Sequence, residues 1–478
     1  MRYAYRVETV RGAERALMGR VPEGALMARA AAGLAVAAAG MLGRRVYGAR
    51  IALLVGSGDN GGDALYAGAR LARRGAGVTA VAPAPERVHA GGLAALRAAG
   101  GRTGTARDAA RADLVLDGVT GIGGRGGLRE NAARLLDGVT APILAVDLPS
   151  GVDADTGEVH GTAVRATATV TFGAWKPGLL IEPARGHAGA AHLVDIGLGP
   201  HLPHPPDAEA LQHADVAALL PRPGPATDKY RRGVVGVAAG SARYPGAAVL
   251  AVSGALCGGA GAVRYAGSAA GEVIARHPEA LVSHGSPEEA GRVQAWAVGS
   301  GLSGGEAARR AVREALDADV PVLVDADGLR LADAGQVRAR RAATVLTPHA
   351  GEAAALLGVP REAVEARRLD AVRTLAERYR ATVLLKGSDT LVAEPTGPVR
   401  VNPTGTGLLA TAGSGDVLSG LIGALLAAGL PARDAASAGA YLHGLAGRRA
   451  TAPPAASDVA AALPAAWREV CTGARGDA

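Results

Sequence analysis

The sequence predicts two consecutive α/β domains, each built on a mainly parallel sheet covered by helices. At 478 residues the chain exceeds the size at which a single core stops growing. Strand patterns alternate with helical patterns through both halves. Prolines crowd between residues 197 and 230, where the strand periodicity stops. We therefore expect a linker near residues 198–215, a first domain of residues 1–210 and a second domain of residues 211–478.

The first half predicts a doubly wound parallel sheet. Its six strand segments are Arg50–Val55, Val78–Ala82, Leu114–Asp117, Ile143–Asp147, Ala168–Phe172 and Ala191–Val194. Acids and glycine-rich turns follow three of them: DNGGD after the first, DGVTGIGGRGGLRE after the third and DLPSGVDADTG after the fourth. Because ligands bind at the carboxyl ends of parallel strands, these turns predict one shared crevice.

The glycine-rich turn after the first strand resembles a dinucleotide-binding loop in its spacing. Residues 56–61 fit G-x-G-x-x-G between a strand and a predicted helix at Ala64–Arg74. A cofactor fold also places an acid at the end of the next strand, but that strand ends VTAVAPAPE, without an acid at its tip. Asp59 and Asp63 are poor neighbours for a pyrophosphate unless a cation or a reacting polar group lies between them. The loop is therefore interpreted as a reaction site.

Composition excludes two classes of function. The net charge is +7, but the arginines are scattered in pairs and aromatics make up only 3%, so we expect no nucleic-acid partner. No apolar run reaches the ~18 residues of a membrane span, and the charged N-terminus lacks a signal-peptide core, so a soluble cytoplasmic protein is expected. Cys257 and Cys471 lack metal-ligand spacing and are interpreted as ordinary thiols.

Lysine is scarce, and this draws attention to the three positions where it occurs. Of 51 basic residues only Lys176, Lys229 and Lys386 are lysines, in WKPG, DKYRRG and LLKGSDT. A compact ammonium can serve where a planar guanidinium cannot, although chance explains the pattern equally well.

The most informative stretch of the second half is NPTGTGLLATAGSGDVLSG, residues 402–420. Residues 413–415 precede Asp416 and an apolar helix, so backbone N–H groups and the helix dipole would face an anion beside a carboxylate. The amides would stabilise a moving phosphoryl group, while Asp416 takes the proton of an attacking hydroxyl. The motif LLKGSDT upstream makes the assignment to phosphoryl transfer more specific.

The first half resembles the NAD(P)H-hydrate epimerase family, through DNGGD, the loop of residues 117–127, AVDLPSGVDADTG and TFGAWKPGL. The resemblance implies a Rossmann-like three-layer domain that binds a dinucleotide hydrated at C6 of its nicotinamide ring as substrate. Asp59 and Ala64 depart from the asparagine and glycine usual in the family. The substrate-binding residues implied are Asp59, Asn60, Gly61, Gly62, Asp63, Gly121, Ile122, Gly123, Gly124, Arg125, Gly126, Gly127 and Asp147.

The epimerase resemblance also implies a potassium ion and a catalytic carboxylate. Asn60, Asp117 and Ser150 match the cation ligands, and all three offer hard oxygen atoms. From spacing alone, Asn60 and Ser150 fit turn chemistry as well. Asp147 matches the acid or base that moves a proton during epimerisation, and its alternative is a capping carboxylate.

The second half resembles the ribokinase-like superfamily, and within it the ADP-dependent NAD(P)H-hydrate dehydratases, through TDKYRRG, GSARYPGAA, TPHAGE, KGSDT and ATAGSGDVLSG. The resemblance implies a second catalytic aspartate, Asp416. The residues implied to line the adenine nucleotide are Lys386, Gly387, Ser388, Asp389, Thr390 and Gly415. Those implied to line the hydrated nicotinamide nucleotide are Ala247, Gly301, His349 and Asp416. His349 fits a helix N-cap as well. Thr406, Gly407 and Ala412 depart from the family's usual Asn-Pro pair and glycine.

Together the two resemblances imply a bifunctional repair enzyme. It would interconvert R- and S-NAD(P)HX and dehydrate the S form with ADP as co-substrate, giving NAD(P)H, AMP and phosphate. Potassium in the first domain and Mg²⁺ in the second are the expected ions. A ligand sensor is the rival reading of the first domain, and a small-molecule kinase that of the second. We expect a homo-oligomer, although residues 25–42 fit an interface helix or an amphipathic core helix equally.

Overall fold

The computed structural model describes residues 1–43 and 45–473. The chain divides into two compact units. The first unit covers Tyr3–Ala208, and the second comprises Met1–Arg2 together with the chain from Glu209. The segment expected to be an irregular linker is partly regular, since it contains a strand at Ala208–Ala210 and the start of a helix at His213.

Strands and helices alternate along the first unit. A short strand, β1 (Arg2–Ala4), comes first and belongs to the sheet described below for the second unit. The strands of the first unit are β2 (Arg50–Val55), β3 (Gly77–Val81), β4 (Arg102–Thr103), β5 (Leu114–Gly118), β6 (Ile143–Val146), β7 (Ala168–Phe172) and β8 (Ala190–Val194). The helices are α1 (Val7–Met18), α2 (Ala25–Met41), α3 (Asp59–Ala72), α4 (Ala90–Ala98), α5 (Ala106–Ala110), α6 (Glu130–Ala133) and α7 (Arg185–Ala188).

The sheet of the first unit is parallel and doubly wound. Its strand order is β4-β3-β2-β5-β6-β7-β8, so the chain winds outward in both directions from β2 and β5. The six predicted strands are confirmed to within a residue at each end. The strand order reverses between β2 and β5, which is where open α/β sheets bind ligands.

The helix predicted at Ala64–Arg74 begins earlier, and this corrects the reading of DNGGD as a loop. α3 starts at Asp59, and Gly58 before it is extended, so residues 59–63 form the first turns of the helix. Glycines lower helix propensity and suggested a loop, but a helix buried on the sheet draws its stability from packing. The residues expected to bind substrate therefore lie at a helix N-terminus.

The alanine-rich segment of residues 25–42 forms α2, which packs into the core of the first unit. Ala31, Leu34 and Ala38 are fully buried, whereas Val36 is 70% exposed. The buried face at helical spacing supports the core-helix alternative.

The second unit carries the remaining strands and helices. The strands are β9 (Ala208–Ala210), β10 (Val234–Ala238), β11 (Ala262–Ala266), β12 (Leu281–Ser283), β13 (Ala295–Val298), β14 (Val322–Val324), β15 (Thr344–Leu346), β16 (Thr382–Leu385), β17 (Thr390–Ala393) and β18 (Val399–Asn402). The helices are α8 (His213–Leu219), α9 (Pro245–Cys257), α10 (Ala270–Arg276), α11 (Glu306–Asp317), α12 (Asp327–Leu331), α13 (Ala334–Ala339), α14 (Ala350–Leu357), α15 (Arg361–Ala366), α16 (Arg368–Tyr379), α17 (Ser414–Ala427), α18 (Ala432–Arg449) and α19 (Ala456–Gly473).

The second sheet is parallel in its centre and antiparallel towards one edge. Within the described residues its order is β1-β9-β18-β17-β16-β15-β14-β13-β10-β11-β12. The strands from β12 to β16 pair in parallel, and β17 and β18 complete an antiparallel meander. The strand order reverses between β10 and β13, which predicts a ligand site at their carboxyl ends.

Close packing of α9 against α17 fixes the helix that carries Asp416. A Cβ on Gly254 would lie 2.1 Å from the carbonyl oxygen of Val417, and one on Gly420 would lie 1.8 Å from that of Ala251. The absence of a side chain at these two glycines is what lets the helices approach so closely. The position of Asp416 therefore depends on a tight helix–helix contact.

Hydropathy along the described helices gives no membrane-spanning candidate, because none of them is both long and apolar enough.

Candidate functional site

In the first unit, Asp117 and Ser150 form a buried pair at adjacent strand ends. The Ser150 hydroxyl donates to Asp117 Oδ1 at 2.6 Å, and the Ser150 backbone N–H donates to Oδ2 at 2.8 Å. Thr120 N–H in turn donates to Ser150 Oγ at 2.8 Å. Burial raises the pKa of Asp117 to about 6, although hydrogen bonds from Ser150 and Val119 oppose this. A buried carboxylate of this kind would gain from a nearby cation.

Asn60, the third residue expected to bind a cation, lies next to the loop that follows Asp117. A Cβ on Gly121 would come within 2.9 Å of the Asn60 side-chain amide. The Nδ2 atom of Asn60 is buried and has no hydrogen-bond partner among the described residues. Turning the amide by 180° would place an unpaired oxygen at that point, so Asn60, Asp117 and Ser150 together fit a hard cation.

Asp147 is held in a strained backbone conformation and bound to a buried lysine. Its φ of 65° is left-handed, which costs a non-glycine residue about 1–2 kcal/mol. Lys176, only 1% exposed, donates to Asp147 Oδ1 at 2.6 Å. Thr171 Oγ1 and Phe172 N–H donate to the same oxygen, at 2.9 Å and 3.2 Å. The contacts therefore converge on Oδ1 and leave Oδ2 as the oxygen available to a substrate.

Lys176 belongs to the candidate site, although in the sequence only the rarity of lysine sets it apart. Asp147 follows β6 and Lys176 follows β7, and these strands pair in parallel with Val146 opposite Val170. Lys176 also donates to Thr171 Oγ1 and to the Phe172 carbonyl, both at 3.0 Å. All three donor bonds of an ammonium are thus used without water.

Two further carboxyl groups lie in the field of the Asp147–Lys176 pair. Burial raises the pKa of Asp63 well above its ordinary value, and the charges of Asp147 and Asp59 raise it further. Burial also raises the pKa of Glu14. The charge of Lys176 lowers this pKa, and the charge of Asp147 raises it. The first turn of α3 therefore brings proton-holding groups to the Asp147 side of the crevice.

A cavity of about 330 Å³ opens on the other side of the crevice. Its walls come from the turns after β2, β3 and β5, and include residues 123–127 of the loop expected to bind substrate. Gly121 instead faces Asn60, and Ile122 packs against the core. Of the loop expected to bind substrate, residues 123–127 therefore line the cavity, whereas Gly121 faces Asn60 and Ile122 packs against the core.

In the second unit, Asp416 lies in the first turn of α17. Gly413, which caps this helix, has φ 87°, and a Cβ there would come within 2.4 Å of Leu250 Cδ1. Burial and the charge of Asp325 raise the pKa of Asp416 to about 6, while a hydrogen bond with Ser300 and the charge of Lys386 oppose this. Asp416 is thus poised to accept a proton near neutral pH.

A buried ion pair lies beside the first turns of α17. Lys386 Nζ donates to Asp325 Oδ1 at 2.7 Å, and Ser419 Oγ donates to Asp325 Oδ2 at 2.6 Å. A Cβ on Gly415 would be 3.6 Å from Lys386 Nζ. Burial alone would lower the pKa of Lys386, but the charges of Asp325 and Glu352 outweigh burial and raise it. A fixed positive charge therefore lies beside the backbone amides expected to face an anion.

The KGSDT segment is a loop that buried contacts hold on the side away from solvent. Gly387 and Ser388 are exposed, whereas Asp389 is 1% exposed and its carboxyl faces the guanidinium of Arg368 at 3.3 Å. Thr390 starts β17, and its hydroxyl donates to the Gly387 carbonyl at 3.1 Å. The buried Asp389 side chain thus supports the loop, whereas Gly387 and Ser388 form its exposed face.

The other predicted residues of the second unit fall into two places. Gly301 and Ala247 meet, since a Cβ on Gly301 would lie 2.6 Å from that of Ala247, and Gly301 follows the Ser300 that contacts Asp416. His349, by contrast, is the N-cap of α14, where its Nδ1 accepts the Glu352 N–H at 3.1 Å. The structure thus contains the capping contact of His349, and a substrate contact of this residue stays a prediction.

A buried histidine supports the first turn of α17 and was not predicted. His443 Nε2–H donates to the Ser414 carbonyl at 2.9 Å. Burial lowers the pKa of His443 to about 4, so the ring is neutral and acts as a donor. Its sequence context, YLHGLAG in the middle of α18, reads as an ordinary helix interior.

Among the described residues, no three His, Cys, Asp or Glu side chains form a group that could hold a metal ion. The Asn60–Asp117–Ser150 set falls outside that criterion because it relies on amide and hydroxyl oxygens. A divalent ion in the second unit would need ligands from a bound nucleotide.

Comparison with known proteins gives a consistent result for both units. Residues 23–178 match the family model described as YjeF-related protein N-terminus, and residues 235–466 match the model for NAD(P)H-hydrate dehydratase. A crystal structure of ADP/ATP-dependent NAD(P)H-hydrate dehydratase from Bacillus subtilis, co-crystallized with ATP/Mg²⁺, is 29% identical with a TM-score of 0.50. It covers 55% of this chain and 99% of that chain. A ribokinase-like superfamily protein from Enterococcus faecalis V583, 22% identical with a TM-score of 0.50, covers 55% of this chain and 96% of that chain and shares the fold. The predicted fold class is confirmed.

Full-length relatives decide the family. The bifunctional NAD(P)H-hydrate repair enzyme Nnr of Mycobacterium tuberculosis (strain ATCC 25618 / H37Rv) is 52% identical over 445 residues, covering 91% of this chain and 92% of the relative. That of Mycobacterium leprae (strain TN) is 51% identical over 467 residues, covering 96% of each. By this likeness along both units, the chain belongs to the family of bifunctional NAD(P)H-hydrate repair enzymes.

Proposed function

We propose that the first unit interconverts the R and S epimers of hydrated NADH and NADPH, and that the second unit dehydrates the S epimer with ADP. The observation that carries the proposal is Asp416, a half-buried carboxyl with its pKa near 6 in the first turn of α17. Such a site suits proton removal coupled to phosphoryl transfer.

In the second unit, Asp416 takes the proton from the C6 hydroxyl of the hydrated ring as that oxygen attacks the β-phosphoryl group of ADP. AMP leaves, and the phosphate now on C6 departs as the ring nitrogen pushes its electron pair towards C6. Loss of a proton from C5 to solvent then forms the C5–C6 double bond and restores the dihydropyridine. The backbone N–H groups at the start of α17 and the positive end of its dipole receive the moving phosphoryl charge. Products are NAD(P)H, AMP and phosphate.

The nucleotide would lie against the exposed face of residues 386–390 and against Gly415. Lys386 supplies a positive charge that its partner Asp325 holds in place at 2.7 Å. Arg368 supports the loop from below through the carbonyls of Leu385, Lys386 and Asp389. Mg²⁺ fits as an ion carried mainly by the nucleotide phosphates, with Asp416 as the neighbouring carboxylate. When bound, it would neutralise phosphate charge.

In the first unit, Asp147 exchanges a proton with the substrate through its free Oδ2, while Lys176 holds Oδ1. C6 passes through a planar state as the carbinolamine opens or ionises, and its hydroxyl returns to either face. Asp63 and Glu14 lie close enough to influence Asp147 electrostatically and hold protons more tightly than ordinary carboxyls do. They can supply the proton that Asp147 does not carry.

Potassium fits the Asn60, Asp117 and Ser150 set because all three offer hard oxygen ligands and the Asp117 carboxyl is 0% exposed. When bound, the ion would supply a fixed positive charge next to a negatively charged substrate. Asp117 and Ser150 orient each other and the Thr120 amide, which keeps the substrate loop in place.

The test separates the two units by substitution. Asp147→Asn should slow epimerisation by about 10²-fold or more, the usual effect of losing a general base, and leave dehydration of the pure S epimer at its normal rate. Asp416→Asn should abolish ADP-dependent dehydration while epimerisation of either pure epimer continues. Asp137→Asn and Asp319→Asn, at exposed positions in the first and second units, serve as matched controls.

Chromatography of the epimers, with ADP and without ATP, reads both activities in one experiment. Given both epimers, the wild type should consume all substrate, whereas Asp147→Asn should stop with the R form left. Loss of both activities in Asp416→Asn would contradict two separate sites. Absence of turnover with ADP as the nucleotide, in an otherwise active protein, would favour a small-molecule kinase instead.

A further inference from the structure

The cavity of about 330 Å³ in the first unit is lined by positive charge and not by acid. Its charged lining residues are Arg87, Arg125 and Arg129, and no lining residue is Asp or Glu. The nearby Glu130 forms an ion pair with Arg134. The volume lies within the roughly 300–1,000 Å³ typical of small-molecule sites. Three cations converging on one such cavity favour an anionic ligand.

None of the three guanidinium groups has a hydrogen-bond or ion-pair partner in the described parts of the chain. All three side chains belong to exposed residues. Elsewhere in this unit exposed arginines do find acids, as Arg50 does with Asp113 at 2.7 Å. The cavity arginines are therefore available to a ligand.

The position of Arg87 relates this charge to dinucleotide recognition. In open sheets that bind dinucleotides at the switch point, an acid after the second strand holds the ribose 2′-hydroxyl, and an arginine accommodates a 2′-phosphate. Here the switch point lies between β2 and β5, and β3 is the strand paired on the other side of β2. β3 ends at Val81, and Arg87 closes the short turn that follows by donating its N–H to the Ala84 carbonyl at 3.0 Å. The turn after β3 thus contributes a cation to the cavity, whereas a site that binds NAD has an acid at the corresponding place.

The groups that would act on the ring lie elsewhere in the crevice. The cavity can therefore hold the end of the substrate that is remote from the reacting ring. Asp147 and Lys176, which would face C6, do not line the cavity. Thr120 does line it and connects it through Ser150 to the cation-binding set. A dinucleotide with its ring at Asp147 and its pyrophosphate near Thr120 would place its adenosine ribose towards Arg87.

We propose that this cavity binds the adenosine 2′-phosphate, so that the epimerase unit prefers hydrated NADPH to hydrated NADH, with Arg87 as the main specificity-determining residue. The proposal rests on the epimerase function proposed above. A charge-assisted arginine–phosphate contact is about twice as strong as a neutral hydrogen bond, which gives a preference of about 10–100-fold in kcat/KM.

The test compares epimerisation of hydrated NADPH and hydrated NADH by the full chain, without ADP. Wild type should favour hydrated NADPH, and Arg87→Ala should remove most of that preference by raising KM for hydrated NADPH alone. Arg97→Ala, an exposed arginine of α4 outside the cavity, should change neither substrate. Equal kcat/KM for the two substrates in wild type, or an equal loss for both in Arg87→Ala, would overturn the proposal.

A binding measurement keeps the outcome independent of catalysis. By calorimetry, Arg87→Ala should bind adenosine 2′,5′-bisphosphate about tenfold or more weakly than the wild type and bind AMP equally well, because the nucleotide site of the second unit is the same in both proteins. Failure of both hydrated substrates to epimerise, with this binding difference intact, would refute the proposed function and retain the cavity assignment. Equal binding of adenosine 2′,5′-bisphosphate by the wild type and Arg87→Ala would refute the cavity assignment itself.

Discussion

Replacing Ser300 with alanine should move the pH dependence of dehydration to higher pH. Asp416 must be ionised to accept a proton, so kcat/KM should be high above the pKa of Asp416 and fall as pH drops through it. Burial and the charge of Asp325 place that pKa at about 6, and the hydrogen bond from Ser300 is one of the contacts that hold it down. Removing this bond disfavours the charged form, so the pKa rises.

The size of the effect follows from the hydrogen bond. With a pKa of about 6, roughly nine-tenths of Asp416 is ionised at pH 7 and roughly one-tenth at pH 5, so wild-type kcat/KM should fall about tenfold between them. A hydrogen bond to a charged group contributes about 1.5 kcal/mol, or about one pH unit. Ser300→Ala should therefore have its acid limb near pH 7.

The assay follows formation of the dihydronicotinamide chromophore from hydrated NADH with saturating ADP across pH 4.5 to 9, a range set around ~6, the pKa of Asp416. Phosphate groups of ADP also titrate, but they do so identically for both proteins, so the difference between the two profiles isolates the enzyme group. Ser303→Ala, at a serine that instead contacts Ser241, is the matched control.

Superimposable acid limbs for wild type and Ser300→Ala, with both proteins active, would refute the assignment of that limb to Asp416. A shift towards lower pH would refute the stated role of the hydrogen bond.

Three further changes test other parts of the structure. Lys176→Met leaves a buried carboxylate unpaired and should destabilise the first unit by about 3–5 kcal/mol, seen as a lower denaturation midpoint, while Lys229→Met should stay within about 0.5 kcal/mol. Asp117→Asn should make epimerisation equally slow in potassium chloride and choline chloride, whereas the wild type should be faster in potassium; equal wild-type rates would exclude a potassium role. Gly413→Ala combines a left-handed φ with a clash and should cost more than Gly429→Ala, which has a similar φ but open space around it and should cost about 1–2 kcal/mol.

The strands could be predicted from sequence because buried parallel strands are apolar runs that end at acids or glycines. The segment of residues 51–55 and the run ending at Asp117 show this directly. The start of α3 could not be predicted in the same way, because Gly61 and Gly62 lower the propensity that packing against the sheet later overrides. Asp416 was identifiable because its glycines and helix are adjacent in sequence.

The buried ion pair of each site could not be predicted from sequence, for a different reason. Lys386 follows β16 and Asp325 follows β14, with β15 lying between these strands, so only the strand order brings them together. The same holds for Asp147 and Lys176, which depend on the register of β6 against β7. Scarcity of lysine marked one partner of each pair, but no spacing rule connects residues so far apart.

The placement of the lysines also determines how the protein can be attached to a surface or labelled through its amines. Lys176 is 1% exposed, and Lys386 is engaged with Asp325 and Glu352. The N-terminal amine forms an ion pair with Asp215 at 2.9 Å. Lys229, exposed beside the ring of Tyr230, is the amine that solvent reaches most freely. Amine-reactive coupling would therefore act nearly as a single-point attachment, with the enzyme held in one orientation.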